Sequence, residues 1–192
     1  MTRVAITGGI GSGKSYVCRL LQQQGISVYD CDAAAKRLMR TEASLRRQLT
    51  MLIGPDAYIP GSDDASPVLN KAAVARFILA SERNAQAVDA IVHPAVAADF
   101  RQSGRQWMEC AILYEAGFQR LVDRVIAVTA PEEVRLQRIE ARDGISRQKA
   151  LQWMERQYPQ EEVRRRADFE IVNDGQQPLP PQLERIIQQL QL

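Results

Sequence analysis

Hydrophobic positions along this chain fall into two alternating rhythms. Short apolar runs at 4–6, 26–29, 107–113, 125–128 and 169–172 predict five strands. Between them the spacing turns helical. Val17, Leu20 and Leu21 lie on one helix face, with Gly25 placed to stop it. A further helix is predicted through Ala33, Lys36, Arg37 and Leu38, and longer helical patterns cover 42–53 and 71–103. Proline has no amide hydrogen, so His93-Pro94 predicts a helix start or a kink inside the second of these. Residues 54–70, with Gly-Pro, Pro-Gly and a polar Ser-Asp-Asp-Ala-Ser-Pro stretch, predict a loop. A helix from Pro131 ends at Asp143-Gly144, a second runs from Ser146 to about residue 157, and an amphipathic helix from Pro181 to Leu192 closes the chain. Strands alternating with helices predict an α/β fold with a parallel sheet covered on both faces.

The first turn carries the clearest chemistry. Gly8-Gly9-Ile10-Gly11-Ser12-Gly13-Lys14-Ser15 follows the first strand and opens the first helix, matching the phosphate-binding P-loop. Glycines let backbone amides of residues 9–15 turn toward phosphate oxygens, and the helix adds its positive end. Lys14 is expected to reach the β- and γ-phosphates. Ser15 is expected to give a hydroxyl ligand to Mg²⁺, whose other ligands are phosphate oxygens and water. The fold expected is therefore a three-layer P-loop fold with a five-stranded parallel sheet.

Carboxylates at strand ends come next, because open α/β sheets bind ligands there. Asp30 and Asp32 follow the second strand, and Glu115 follows the third. Asp32 reads equally as a helix cap or as an active-site acid. His93 is the single histidine, which excludes a two-histidine metal site.

Composition narrows the setting. The 192 residues are 45% hydrophobic and 25% charged, as in a soluble domain. No apolar run reaches the roughly 18 to 20 residues of a membrane span, and no signal-like leader opens the sequence, so a cytoplasmic protein is expected. The three cysteines, Cys18, Cys31 and Cys110, form no C-x-x-C pair and read as reduced thiols. The net charge of +2 predicts no strong attraction to nucleic acid or membrane. Residues 135–166 nevertheless hold nine Lys or Arg against five Asp or Glu, while the remainder is net −2. Arg135, Arg138 and Arg142 share one predicted helix face, and Arg164-Arg165-Arg166 closes the basic stretch. Such a stretch is either a solvated helix face or a lid facing a small polyanion. The layout is that of a small kinase with a core at about 1–32, 106–134 and 167–192, acceptor-binding helices at about 33–105 and a lid at about 135–166.

Over nearly its whole length the chain resembles the dephospho-CoA kinase family. The resemblance rests on the P-loop with its preceding Ile6-Thr7, on Asp30-Cys31-Asp32, and on Val92-His93-Pro94. It continues in Ile112-Leu113-Tyr114-Glu115, in Gln137-Arg138 through Arg142-Asp143-Gly144, and in Glu155-Arg156-Gln157. It ends in Arg166-Ala167-Asp168-Phe169-Glu170-Ile171-Val172-Asn173. Tyr16, Cys31 and Asn70-Lys71 depart from the family's usual residues.

The resemblance implies transfer of the γ-phosphate of ATP, with Mg²⁺, to the ribose 3′-hydroxyl of dephospho-CoA. In that scheme Gly9, Ile10, Gly11, Ser12, Gly13, Lys14, Ser15 and Tyr16 hold the nucleotide. Asp32 aligns the hydroxyl, Arg142 reaches from the lid, and Asn173 makes a base-side contact. His93 and Glu115 lie toward the acceptor. The partners expected are these two small molecules, with no nucleic acid and no membrane, for a monomer or weak homo-oligomer. Another P-loop kinase with a nucleoside or nucleotide acceptor would share the core. A GTPase-like switch is a different class; Asn70-Lys71-Ala72-Ala73 lacks the aspartate that guanine-specific loops place two residues after the lysine.

Overall fold

The computed structural model describes residues 2–61 and 67–190, in two compact units, Met1–Asp30 with Gly104–Leu192, and Cys31–Ser103. The polar residues 62–66 of the expected loop lie outside the described residues, as do Met1, Gln191 and Leu192.

In the first unit the strands are β1 (Val4–Thr7), β2 (Val28–Asp30), then β5 (Trp107–Glu109), β6 (Arg124–Thr129) and β7 (Phe169–Val172); β3 and β4 belong to the second unit. They form one parallel sheet in the order β2-β5-β1-β6-β7, so β1 sits at its centre. Every residue of β1 is buried, as a central strand covered on both faces requires. Val4, Ile6, Ile126, Val128 and Ile171 pack on one face with Val17 and Leu21 of helix α1 (Lys14–Gln23) and with Leu179, Leu183 and Ile186 of helix α9 (Leu179–Gln189). That face carries an apolar core of the first unit. Helix α9 begins two residues before the expected start, because Pro180 and Pro181 fit its first turn, where no amide is needed.

The third strand is shorter than predicted. Its pairing with β1 ends at Ile6 opposite Glu109, and the Cys110 amide still reaches Ile6 O at 3.0 Å before the chain turns. Leu113 is then buried by the turn over 111–117 rather than by more sheet. A short apolar run looks the same in either setting.

The second unit contains helices α2 (Cys31–Thr41), α3 (Ala43–Ile53), α4 (Lys71–Ala80) and α5 (Glu82–Gln102), with an antiparallel pair β3 (Tyr58–Ile59) and β4 (Val68–Leu69). Val88, Val92, Val96 and Phe100 recur every four residues and form the buried stripe of α5. The pattern over 71–103 is broken at Ser81, and α5 runs through Pro94. Ser81 is extended and caps α5, accepting from the Asn84 amide at 3.1 Å, while Asn84 Nδ2 reaches back to Phe77 O at 2.9 Å. A serine cap outweighs proline here as the point of division.

Helices α6 (Glu132–Asp143), α7 (Arg147–Glu155) and α8 (Gln160–Arg166) make up the basic region of the first unit. Leu136, Ile139 and Ala150 form a small buried cluster with Ile10, Leu151, Trp153 and Met154 packed against it.

Candidate active site

The site is built where β1 ends. Residues 8–13 turn the chain from the sheet's C-terminal edge into α1, whose first turn contains no acidic residue and no side-chain cap. Among the described residues, the amides of Gly11, Gly13, Lys14 and Ser15 make no hydrogen bond. These donors stand at the positive end of α1, an arrangement chemically suited to an anion.

Two glycines are required by what surrounds them. A Cβ on Gly11 would lie 2.7 Å from the Arg135 carbonyl oxygen, so α6 abuts the loop backbone to backbone. A Cβ on Gly13 would lie 2.0 Å from Asn173 Nδ2, and Gly13 has φ +95°. Asn173, just beyond β7, donates from Nδ2 to Ser12 O at 2.8 Å. Ser12 is fully buried, with no hydrogen-bond partner for its Oγ.

Lys14 is 9% exposed. Its Nζ donates to Gly8 O at 2.8 Å and Gly9 O at 3.3 Å, and lies 3.9 Å from Glu109 Oε1. Burial pushes the ammonium pKa down, and the Glu109 carboxylate pushes it back up. Glu109 is a site residue that sequence reasoning missed. Its signal was an acid inside an otherwise apolar strand; register places it level with Ile6 and with Asp30 at the sheet edge. Next to this pair, Cys18 has its thiol pKa pushed up to about 12, first by burial and then by Glu109. It is protonated and unreactive at neutral pH, and Cys18, Cys31 and Cys110 are all free thiols.

The three arginines expected on one face of α6 divide. Arg135 is 6% exposed and donates from Nε to Ile10 O at 2.9 Å; burial pulls its pKa down. Arg138 Nη1 lies 3.3 Å from Gly11 O and 3.4 Å from Ser12 O, and its Nη2 donates to Asn173 O and Oδ1 at 3.1 and 3.2 Å. Arg142 is turned to its neighbour Asp143, 2.7 Å away. The Ile10 amide donates to Gln157 Oε1 at 2.7 Å. Neither Arg135 nor Gln157 was singled out for this role, since 125 and 147 residues separate them from Ile10.

The remaining candidates are placed as follows. Ser15 stands exposed in the first turn of α1, followed by Tyr16, which is 45% exposed with the Arg19 guanidinium over its ring. Glu115 lies in the turn after β5, where Oε1 accepts the Tyr158 amide at 3.0 Å. In the second unit, Asp32 lies inside the first turn of α2 rather than at its cap, exposed and ion-paired with Lys36. His93, on α5, has Nε2 3.5 Å from Asp89 Oδ1. The structure thus brings together the P-loop, Lys14, Glu109, Asn173, Arg135, Arg138 and Gln157.

Comparison with known proteins bears on this arrangement. The profile of the family described as dephospho-CoA kinase matches residues 2–178. This chain belongs to the dephospho-CoA kinase family. A curated dephospho-CoA kinase from Porphyromonas gingivalis is 40% identical, covering 98% of this chain and 94% of that protein. A curated dephospho-CoA kinase from Bacteroides fragilis is 38% identical, covering 96% and 91%. Among solved structures, a Thermus thermophilus protein aligns with a TM-score of 0.80 at 31% identity, over 99% of this chain and 96% of that one. The sheet and its surrounding helices are thus an α/β P-loop kinase fold, and the family gives ATP as co-substrate.

Proposed function

We propose that this protein phosphorylates dephospho-CoA with ATP, giving coenzyme A and ADP, the last step of coenzyme A synthesis. One observation supports it most: the family match over residues 2–178 includes a loop where a buried Lys14 and four amides without a partner among the described residues surround the start of α1. Phosphoryl transfer asks the protein mainly to position the reactants and to stabilise charge on the transferred group. The amides and Lys14 supply fixed donors, already oriented before substrate arrives. Asp32 is assigned to the ribose 3′-hydroxyl, accepting its hydrogen bond and taking its proton late in the reaction. Its exposure leaves the carboxylate, ion-paired with the equally exposed Lys36, accessible to a substrate. Arg142, paired among the described residues with its neighbour Asp143, is the lid group assigned to the nucleotide's phosphates, and Asn173 is assigned to its base side. His93 and Glu115 are assigned to the acceptor.

Mg²⁺ fits this donor set. It prefers oxygen ligands and keeps most of its water and phosphate oxygens, so one exposed hydroxyl, Ser15, suffices from the protein. When bound, the ion neutralises charge on the β- and γ-phosphates. No helix among the described residues is long and apolar enough to cross a membrane. We infer a cytoplasmic enzyme working on small molecules, as a monomer or weak homo-oligomer; the near-neutral charge supports a reading without nucleic acid or membrane.

The test is ADP release measured with ATP, Mg²⁺ and a panel of acceptors. Release dependent on dephospho-CoA, with coenzyme A as product, is expected. Release with a nucleoside or nucleotide and not with dephospho-CoA would overturn the reading.

A further inference from the structure

The two peptide groups flanking Ile10 are each held from outside the loop. Gln157 Oε1 accepts the Ile10 amide at 2.7 Å, and Arg135 Nε donates to the Ile10 carbonyl at 2.9 Å. The Ile10 side chain is packed against Leu136, Ile139 and Ala150. One loop residue is thus gripped through its amide, its carbonyl and its side chain, all by the region between 135 and 157.

Peptide planarity says what this grip achieves. No cis bond occurs among the described residues, so the carbonyl of one residue and the amide of the next point in opposite directions. Gly9 O faces Lys14 Nζ, so the Ile10 amide points away from Lys14. Without Gln157 this part-buried donor would be left unsatisfied, and the Gly9 peptide would be held through its carbonyl alone, by the Ser12 amide and Lys14. Ile10 O faces Arg135, so the Gly11 amide points away from Arg135, and it is one of the unpartnered donors.

We infer that Gln157 and Arg135 are positioning residues for phosphate binding, acting through Ile10 to fix the Gly9 and Gly11 peptides in the orientation that receives the triphosphate. The inference rests on the kinase reading, in which Lys14 and the Gly11 amide face the phosphates. It removes the Ile10 amide from the phosphate-facing set and makes the helical region an integral wall of the loop. Neither side chain touches substrate. Their effect is pre-organisation, which lowers the cost of binding rather than the barrier of the chemical step.

The experiment compares wild type, Gln157→Ala, Arg135→Met and the double variant. Each is assayed with ATP varied at saturating dephospho-CoA and the reverse, with ADP affinity by calorimetry. Losing one hydrogen bond to the loop is expected to raise KM for ATP and Kd for ADP about fivefold in Gln157→Ala. The value of kcat should stay within about twofold and KM for dephospho-CoA should not move, since uniform binding is lost. Because both residues act on Ile10, the double variant should lose less than the product of the single losses. Arg135→Met replaces a buried cation by an apolar chain of similar size, so it keeps α6 folded if Gln157→Ala proves too unstable to assay. An unchanged KM for ATP in both single variants overturns the inference, as does a loss shared equally by kcat and both KM values. A wild type that releases no ADP with dephospho-CoA overturns the kinase reading instead.

Discussion

Replacing Gly13 by alanine sets two costs against each other that a double-mutant cycle separates. Gly13 has φ +95°, a left-handed conformation that costs a non-glycine residue about 1–2 kcal/mol. The new Cβ would also stand 2.0 Å from Asn173 Nδ2, so the carboxamide must leave. Its departure breaks the 2.8 Å bond to Ser12 O and the 3.2 Å bond accepted from Arg138, at about 1 kcal/mol each. The total is about 3–4 kcal/mol, and with about 2–4 °C per kcal/mol for a chain of this size, Gly13→Ala should lower Tm by about 6–16 °C. Asn173→Ala loses only the two bonds, about 2 kcal/mol. The double variant has no carboxamide to displace, so it should cost about the same 3–4 kcal/mol as Gly13→Ala alone, leaving a coupling of about 2 kcal/mol. Thermal and urea unfolding of the four proteins measures this. An additive cycle, with the double variant near 5–6 kcal/mol by simple summation of these estimates, would refute the claim that Asn173 packs on Gly13 and staples the loop.

Other side chains of the site give further expected outcomes. Lys14→Met should lose at least about 100-fold in kcat and also lower stability, because it takes the ammonium away from the carbonyls of Gly8 and Gly9 and from the Glu109 carboxylate. Burial lowers the Lys14 pKa from 10.5, so the unfolded chain binds its proton more readily; wild-type stability should rise with pH between the lowered pKa and 10.5, and Tm against pH in Lys14→Met should lack that rise. Asp32→Asn, at a side chain 74% exposed, should leave Tm unchanged and lower kcat by about 10²–10⁴-fold, with ADP affinity nearly intact; an equal loss of both would contradict the acceptor role. Arg138→Met should cost about 2–3 kcal/mol of stability by abandoning the carbonyls of Gly11, Ser12 and Asn173, whereas Arg142→Ala should lower kcat with Tm unchanged. Denaturation beside steady-state kinetics separates the two arginines.

The local features of this fold were legible because they depend on neighbours in sequence. Periodicity found the five core strands, and the P-loop motif placed Lys14 and Ser15 at the head of α1. What depends on distant residues was not. The end of β5 at Glu109 is set by where pairing with Ile6 stops, and the apolar residues beyond it gave no sign of a turn. Glu109 was hidden inside a predicted strand, although an acid among apolar residues beside the loop strand was a usable signal. Helix α8 was overlooked for the charge run at its end, and the division at Ser81 was overlooked in favour of Pro94. The contacts of Arg135 and Gln157 with Ile10 bridge more than a hundred residues, and no spacing rule reaches that far.

The charge of the helical region acts in two different ways, and ionic strength tells them apart. Of the nine basic residues between 135 and 166, Arg142, Arg147, Arg164, Arg165 and Arg166 pair with nearby carboxylates at the surface. Such pairs add little stability and are screened by salt over about 8–10 Å at physiological ionic strength. Arg135 and Arg138 instead donate to carbonyls of the loop. A guanidinium that holds a carbonyl outward holds the next amide inward; on the proposed reading Arg135 at Ile10 O and Arg138 at Ser12 O orient the Gly11 and Gly13 amides for phosphate, through peptide dipoles rather than net charge. Hydrogen bonds in a part-buried setting are screened much less by salt than exposed ion pairs. The local excess of four positive charges is therefore a poor measure of what the region does for phosphate binding. The two arginines with carbonyl partners, together with Gln157 and Asn173, hold the loop, and if exposed Arg142 meets the nucleotide as proposed, its share of the affinity is the part that salt should weaken.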